Sequence, residues 1–127
     1  MKLLSANQIR AWDQFTIQSE QISSIDLMER ASRSFVDWYL SIYKDTNIPV
    51  HIFCGNGNNG GDGLAIARLL TDKLYKVKVH IVNFVAVNTL DFNKNLDRLK
   101  DYSHVKITCQ EDILPAIHAS SIIIDAL

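Results

Sequence analysis

Apolar residues recur at helical spacing in the N-terminal part of the chain. Ser5 can cap a first helix that ends near Gln18, and its apolar side is formed by Ile9, Trp12 and Phe15. A polar link over residues 19–23 leads to a second, longer helix, for which Ser24 is the predicted cap. The predicted buried face of this helix consists of residues that step by three or four: Leu27, Ala31, Phe35, Trp38 and Ile42.

After Pro49 the pattern changes to short β-rich segments that alternate with amphipathic helical segments. Strands are predicted over residues 50–54, 77–82, 105–108 and 122–124. The intervening helices are predicted over residues 64–74, 89–102 and 113–119. Strands joined by helical crossovers are typical of a parallel sheet with helices on both faces. The pattern therefore predicts an α/β fold, a three-layer αβα, Rossmann-like domain with a mostly parallel sheet, preceded by two N-terminal helices.

The last residues of the sequence form an apolar run, Ile122-Ile123-Ile124, that ends in Asp125. Such a run predicts a buried strand, which needs neighbours and a following connection. We therefore expect residues 1–127 to be the N-terminal part of one domain that continues beyond Leu127.

The segment that carries chemistry lies between the first predicted strand and its helix, from Cys54 to Gly63. In an open parallel sheet, ligands bind at the carboxyl ends of strands, and a helix N-terminus offers unpaired N–H groups to anions. Glycines permit positive φ angles and close approach of the backbone, here at Gly55, Gly57, Gly60 and Gly61. Asn58 and Asn59 add side-chain donors and acceptors, and Asp62 can cap the helix. A loop that holds a ligand is favoured over a plain tight turn.

Two familiar nucleotide motifs fit this loop poorly. Gly55-x-Gly57-x-x-Gly60 matches the dinucleotide fingerprint. The acidic residue expected at the end of the second strand is missing, however, because that region reads His80-Ile81-Val82-Asn83, and it has no arginine for a 2′-phosphate either. Gly60-Gly61-Asp62 lacks the Lys-Ser/Thr of a P-loop. An ordinary NAD dehydrogenase is thus disfavoured.

The run Gly57-Asn58-Asn59-Gly60-Gly61-Asp62-Gly63, followed by Leu64, Ala67 and Arg68, resembles the NAD(P)H-hydrate epimerase family, the YjeF N-terminal-domain proteins. Leu27-Met28-Glu29-Arg30-Ala31 and Asp125-Ala126-Leu127 resemble two further segments of that family. The resemblance implies an isomerase that interconverts the R and S forms of hydrated NADH and NADPH. It implies a partner dehydratase, separate or fused, that completes the repair of these damaged cofactors.

The resemblance also implies roles for individual residues. The substrate-binding residues would be Asn58, Asn59, Gly60, Gly61 and Asp62. Asn59 and Asp125 would bind a potassium ion, for which an amide oxygen and a single carboxylate are suitable ligands. The acid/base aspartate would lie on a later strand, beyond Leu127, so residues 1–127 alone are expected to be inactive.

Charge and composition limit the kinds of partner that we expect the chain to bind. The net charge is −1, and acidic and basic residues are interleaved, which indicates neither a nucleic-acid nor an anionic-membrane surface. Cys54 and Cys109 have no metal-type spacing, so we expect reduced thiols and a cytoplasmic protein. The wide apolar faces of the two N-terminal helices are candidate contacts of a homodimer.

Other interpretations stay open at this point. Asp125 could instead cap a following helix or form a surface ion pair, and His51 and His80, within strands, are expected to be hydrogen-bonded structural histidines. A nicotinamide-dinucleotide oxidoreductase would have the same fold. A non-catalytic nucleotide-binding or protein-interaction scaffold is the remaining alternative, because one fold hosts many functions.

Overall fold

A computed structural model describes residues 14–15, 22–83, 86–109, 117 and 119–127 of the chain. Its elements, in chain order, are α1 (Ser24–Ile42), β1 (Val50–Cys54), α2 (Asn58–Asp72), β2 (Val77–Ile81), α3 (Leu90–Lys100), β3 (Lys106–Cys109) and β4 (Ile122–Ala126). Of the predicted first helix, Gln14 and Phe15 are described and are helical. Of the predicted helix over 113–119, only residues 117 and 119 are described, and neither is helical.

The strands form one parallel sheet in the order β3-β2-β1-β4. Val50 of β1 is in register with Val77 of β2 on one side and with Ile122 of β4 on the other. The chain moves outward from β1 to β2 and β3, and β4 then returns to the opposite side of β1. The boundary between β1 and β4 is therefore the topological switch point, where open α/β sheets bind ligands. The predicted α/β fold with a parallel sheet is confirmed.

Helix α2 is the centre of the helical layer. It packs against β1, β2 and β4, and α1 and α3 both pack against α2. The core lies between this layer and the sheet, where alternate strand residues such as Val50, Ile52 and Cys54 are fully buried. No helix among the described segments is both long enough and apolar enough to cross a membrane.

The start and the buried face of α1 differ from the prediction. Ser23, rather than Ser24, is the cap, because its side chain accepts a hydrogen bond from the N–H of Asp26 at 3.2 Å. The buried residues of α1 are Met28, Ser32, Val36 and Tyr39. Trp38 and Ile42, predicted to be buried, are each about half exposed.

Contact with α2 selects this face of α1. A Cβ placed on Gly61 would lie 3.2 Å from the Sδ atom of Met28, so the absence of a side chain at Gly61 makes room for Met28. Apolar spacing could not separate the two faces, because both carry large apolar residues.

The C-terminal ends of α2 and β4 also differ from their predicted positions. Helix α2 ends at Asp72, so Leu74, predicted on its apolar face, lies outside the helix with φ 69° and is exposed, while Tyr75 is buried. Strand β4 extends to Ala126 and contains Asp125. Ile123 is exposed, so among the described residues β4 is not the fully buried strand that its composition indicates.

Candidate functional site

The glycine-rich loop begins where β1 is bonded on both sides. The N–H of Gly55 donates to the main-chain oxygen of Ala126 at 3.0 Å, which continues the pairing with β4. The N–H of Val82 donates to the oxygen of Cys54 at 2.8 Å, which continues the pairing with β2. The loop therefore starts from a fixed point at the carboxyl edge of the sheet, directly at the switch point.

Helix α2 begins five residues earlier than the predicted cap Asp62 would place it. Its N-cap is Gly57, which makes no side-chain capping bond, and its first residue is Asn58. The N–H of Gly61 donates to the oxygen of Gly57 at 3.0 Å, so Asp62 lies within the helix and the prediction of Asp62 as the cap is wrong. The N–H groups of a first helical turn have no intrahelical partner, so Asn58, Asn59 and Gly60 present donors suited to an anion.

Close packing, rather than unusual backbone angles, explains the glycines. None of the five glycines of the chain, all of them described, has a positive φ. A Cβ on Gly60 would lie 1.6 Å from the main-chain oxygen of Gly55, so the loop folds back onto the start of the helix without room for a methyl group. A Cβ on Gly63 would lie 2.7 Å from both Cβ of Ala126 and Sγ of Cys54, so α2 sits directly on β1 and β4.

Asn59 and Asp125 converge on one residue at the switch point. The side-chain amide of Asn59 donates to the main-chain oxygen of Leu127 at 2.9 Å. A carboxylate oxygen of Asp125 accepts from the N–H of Leu127 at 3.1 Å. Both side chains are exposed, and the bond from the amide nitrogen of Asn59 leaves its carbonyl oxygen available as a ligand. An amide oxygen and a carboxylate at one edge suit a large monovalent cation.

Asn56 is a site residue that the sequence analysis did not single out. Its side chain is almost fully buried and donates to Oδ1 of Asn88 at 3.0 Å, and Asn88 donates to Oδ1 of Asn93 at 3.1 Å. The N–H of Thr89, the cap of α3, donates to the main-chain oxygen of Asn56 at 3.2 Å. These bonds tie the loop to the start of α3. An asparagine inside a glycine-rich loop was the available signal, but its partners lie over 30 residues away.

A cavity of about 410 Å³ opens beside this amide network, at the carboxyl ends of β2 and β3. Its lining includes the amide side chains of Asn56, Asn83 and Asn88 together with Phe92, Leu96 and Cys109. It lies on the opposite side of β1 from Asp125, because β2 and β4 flank β1.

His51 and His80 form a buried hydrogen-bonded pair within the sheet, as the sequence analysis expected of structural histidines. Nδ1 of His51 lies 2.9 Å from Nε2 of His80, and Nδ1 of His80 lies 2.9 Å from Oγ1 of Thr108. Burial lowers the pKa of both histidines, and the nearby Lys78 lowers both further. Their place within the strands, rather than at the strand ends, separates them from the loop.

The two helical segments that carry the resemblance contact each other. Arg68 of α2 donates to a carboxylate oxygen of Glu29 in α1, and both side chains are largely buried. Arg33, which is mostly exposed, binds the other oxygen of Glu29 at 3.1 Å. This ion pair fixes α1 against the helix that follows the loop.

The chain is similar in sequence to proteins of one family. The sequence profile described as "YjeF-related protein N-terminus" matches residues 24–127. An NAD(P)H-hydrate epimerase of Limosilactobacillus fermentum is 54% identical over 67 residues, 53% of this chain and 32% of that protein. An NAD(P)H-hydrate epimerase of Rhodobacter capsulatus is 28% identical over 132 residues, 99% of this chain and 61% of that protein.

Two further comparisons extend the picture. A bifunctional NAD(P)H-hydrate repair enzyme Nnr of Salinibacter ruber is 37% identical over 102 residues, which are 77% of this chain and 18% of that protein. The crystal structure of yeast ynu0 superposes with a TM-score of 0.66 at 24% identity, covering 87% of this chain and 48% of that one, and shares its fold. The chain thus spans less than two thirds of the length of each of these proteins.

Proposed function

Since the chain belongs to the family of YjeF-related protein N-termini, we propose that it is the substrate-binding part of an epimerase acting on hydrated NADH and NADPH. The enzyme interconverts the R and S forms of these damaged cofactors, which carry a hydroxyl group on the reduced nicotinamide ring. The observation that carries the proposal is the meeting of Asn59 and Asp125 at Leu127, beside the open N-terminus of α2. The relatives from Limosilactobacillus fermentum and Rhodobacter capsulatus, which are similar in sequence to this chain, are named NAD(P)H-hydrate epimerase.

The start of α2 supplies the binding site for the pyrophosphate. The N–H groups of Asn58, Asn59 and Gly60 point out of the first turn, and the helix dipole adds positive charge there. Gly60 and Gly61 allow this turn to pack closely, because a Cβ on Gly60 would meet the main chain of Gly55 and one on Gly61 would meet Met28. Asp62, one turn into the helix, completes the set of five residues that we assign to the substrate.

Asn59 and Asp125 are the protein's ligands for a potassium ion in this proposal. The bound ion would offset part of the negative charge of the pyrophosphate. The oxygen ligands suit this ion, because one oxygen of Asp125 and the carbonyl oxygen of Asn59 remain available for it after both side chains have bonded to Leu127. The bonds to Leu127 hold the two side chains at one edge of the sheet before any ligand binds. The acid/base group stays a prediction of the resemblance, which assigns it to a later strand.

Three further features belong to the proposal. We infer that the enzyme works with an NAD(P)HX dehydratase, separate or fused, which the bifunctional Salinibacter relative supports. We infer a homodimer, supported by the half-exposed Trp38 and Ile42 of α1. We place the protein in the cytoplasm, in keeping with its unpaired Cys54 and Cys109. Equilibrium sedimentation of the full-length protein that gave only monomer at micromolar concentration would contradict the dimer.

A chromatographic assay on separated epimers tests the main proposal. Purified R-NADHX is incubated with the full-length protein, and the appearance of the S form is followed over time. We expect exchange well above the spontaneous rate. If the rate with protein equals the rate without it, the enzyme is not an epimerase. A scaffold of the same fold would give that result.

A further inference from the structure

The amide-lined cavity beside the loop has the size of a small-molecule pocket. Its volume of about 410 Å³ lies within the range of roughly 300–1,000 Å³ that small-molecule pockets occupy. It opens at the carboxyl ends of β2 and β3, the edge of the sheet that also carries the start of α2. A ligand held at the helix N-terminus can therefore extend into it.

The chemistry of the lining selects a neutral, partly aromatic group. None of the described residues that line the cavity carries a charge. Asn56, Asn83 and Asn88 provide amide donors and acceptors, and Phe92 provides an apolar surface. Such a mixture suits a nucleoside, whose base has apolar faces and a polar edge, better than the doubly charged pyrophosphate, for which the N–H groups at the start of α2 are the better site.

The position of the cavity indicates which of the two nucleosides of a dinucleotide it would bind. The potassium ligands lie on the β4 side of β1, and the cavity lies on the β2 side, with the start of α2 between them. In doubly wound folds a dinucleotide crosses the strand ends with its pyrophosphate at the helix N-terminus, so its two halves occupy opposite sides. On the basis of the proposed function, we propose that the cavity binds the adenosine half of hydrated NADH and NADPH, and that the damaged nicotinamide lies toward Asp125.

Asn83 becomes the specificity residue under this proposal. It follows the end of β2, where an acidic residue would bind the ribose 2′-hydroxyl and an arginine would bind a 2′-phosphate. An amide can donate to a phosphate oxygen and can accept from a hydroxyl group. The neutral side chain at this position therefore admits both NADHX and NADPHX.

Cys109 provides a direct probe of occupancy, because it lines the cavity and is exposed. Cys54 is buried, and burial raises the pKa of its thiol to about 12, so it reacts slowly and serves as an internal reference. Alkylation of Cys109 by iodoacetamide is followed by peptide mass spectrometry on the full-length protein. ADP-ribose, which contains the adenosine half, is compared with nicotinamide mononucleotide, the other half.

The expected result is selective protection of Cys109. At an ADP-ribose concentration about ten times its dissociation constant, alkylation should slow about tenfold, because the sites are then mostly filled. Nicotinamide mononucleotide should leave the rate unchanged. No slowing by saturating ADP-ribose, or equal slowing by both compounds, would overturn the assignment of the cavity.

Charge variants of Asn83 give a second readout. Asn83→Asp should lower kcat/KM for NADPHX relative to NADHX about tenfold, and Asn83→Arg should shift the ratio the other way. Asn47→Asp, an exposed site before β1 at the opposite edge of the sheet, is the matched control and should not change the ratio. An unchanged ratio in both Asn83 variants would contradict the role of this residue.

The two proposals fail in different ways. If the protein exchanges the epimers but ADP-ribose leaves Cys109 unprotected, the cavity assignment is wrong and the epimerase stands. If no exchange occurs yet ADP-ribose protects Cys109 selectively, the cavity binds adenosine in a protein that is not an epimerase.

Discussion

The side-chain amide of Asn59 donates a 2.9 Å hydrogen bond to the main-chain oxygen of Leu127, which lies 68 residues further along the chain. This bond joins the first turn of α2 to the end of β4, across the switch point. Asp125 bonds to the N–H of the same residue, so the main chain of Leu127 connects the two proposed potassium ligands. The proposed cation site thus depends on contact between segments far apart in sequence.

Removal of either proposed ligand should lower the affinity for the potassium ion that activates epimer exchange. In Asn59→Ala or Asp125→Ala, one oxygen ligand is lost, and the potassium concentration for half-maximal rate should rise about tenfold or more. The measurement is the initial rate of epimer exchange as a function of potassium chloride at constant ionic strength.

Asp45→Ala is the matched control for Asp125→Ala. Asp45 accepts from the N–H of Asn47 at 2.9 Å, the same local turn that Asp125 makes with Leu127, but at the opposite edge of the sheet. Its loss should leave the potassium dependence unchanged. Equal shifts in both aspartate variants would show that a local turn, and not cation binding, accounts for the effect.

Gly60→Ala should destabilise the domain strongly. Its Cβ would lie 1.6 Å from a main-chain oxygen, which cannot move away as the end of a side chain can. We expect a loss of about 3 kcal/mol or more in the free energy of unfolding. In Gly57→Ala the new Cβ meets nothing within 4 Å, so the loss should be at most about 1 kcal/mol, from the poorer cap. Urea unfolding of both variants checks this, and similar losses would contradict the packing argument.

Glu29→Ala should cost far more stability than Arg33→Ala. The side chain of Arg68 is only 12% exposed, so removal of Glu29 would leave a largely buried charge that has lost this partner. We expect the free energy of unfolding to fall by about 3 kcal/mol. Arg33 is 62% exposed, so its bond to Glu29 should contribute about 0.5 kcal/mol or less. Thermal and urea unfolding measure both changes. Comparable losses would mean that the surface pair, rather than the buried one, fixes α1.

The buried histidines predict a loss of stability in acid. Oγ1 of Thr108 donates to the main-chain oxygen of Val79 at 3.4 Å, so it accepts from Nδ1 of His80, whose Nε2 then accepts from Nδ1 of His51. This chain of bonds requires neutral rings, and burial lowers the pKa of both. The folded state therefore binds fewer protons than the unfolded state below the ordinary histidine pKa of about 6.5. Stability should be complete above that pH and fall as the pH drops through it.

Urea unfolding between pH 8 and pH 5 tests the histidine pair. His51→Gln removes one of the two buried titrating rings and should reduce the loss of stability over this interval. His104→Gln, at an exposed position, is the control and should retain the wild-type pH dependence. If all three proteins lose stability equally, the histidine pair does not cause the decline.

Much of the fold follows from the sequence because strand and helix periodicities alternate clearly after Pro49. The site was harder to predict. Asp62 is a good capping residue, but the helix begins earlier, at Asn58, directly after the loop in which Gly55 bonds to Ala126 of β4. Local propensity contains no information about such a bond between strands that are distant in sequence.

The buried face of α1 and the role of Asn56 escaped prediction for a related reason. Both faces of α1 are apolar, and the choice depends on the space that Gly61 leaves for Met28. Asn56 bonds to Asn88, 32 residues away, and nothing in its own neighbourhood indicates that partner. The buried face of α1 and the partners of Asn56 both depend on tertiary contacts, which periodicity and local propensity do not encode.

The double pairing at the end of β1 has a consequence for the motions of the protein. In native-state hydrogen exchange, central strands open only with the whole domain, whereas loops at the surface open readily. The amide of Gly55 is bonded to β4 and the amide of Val82 is bonded to β1, so both should exchange only when the domain unfolds globally. The glycine-rich loop that starts at Gly55 would then be ordered before any ligand binds, and little conformational entropy would be lost on association.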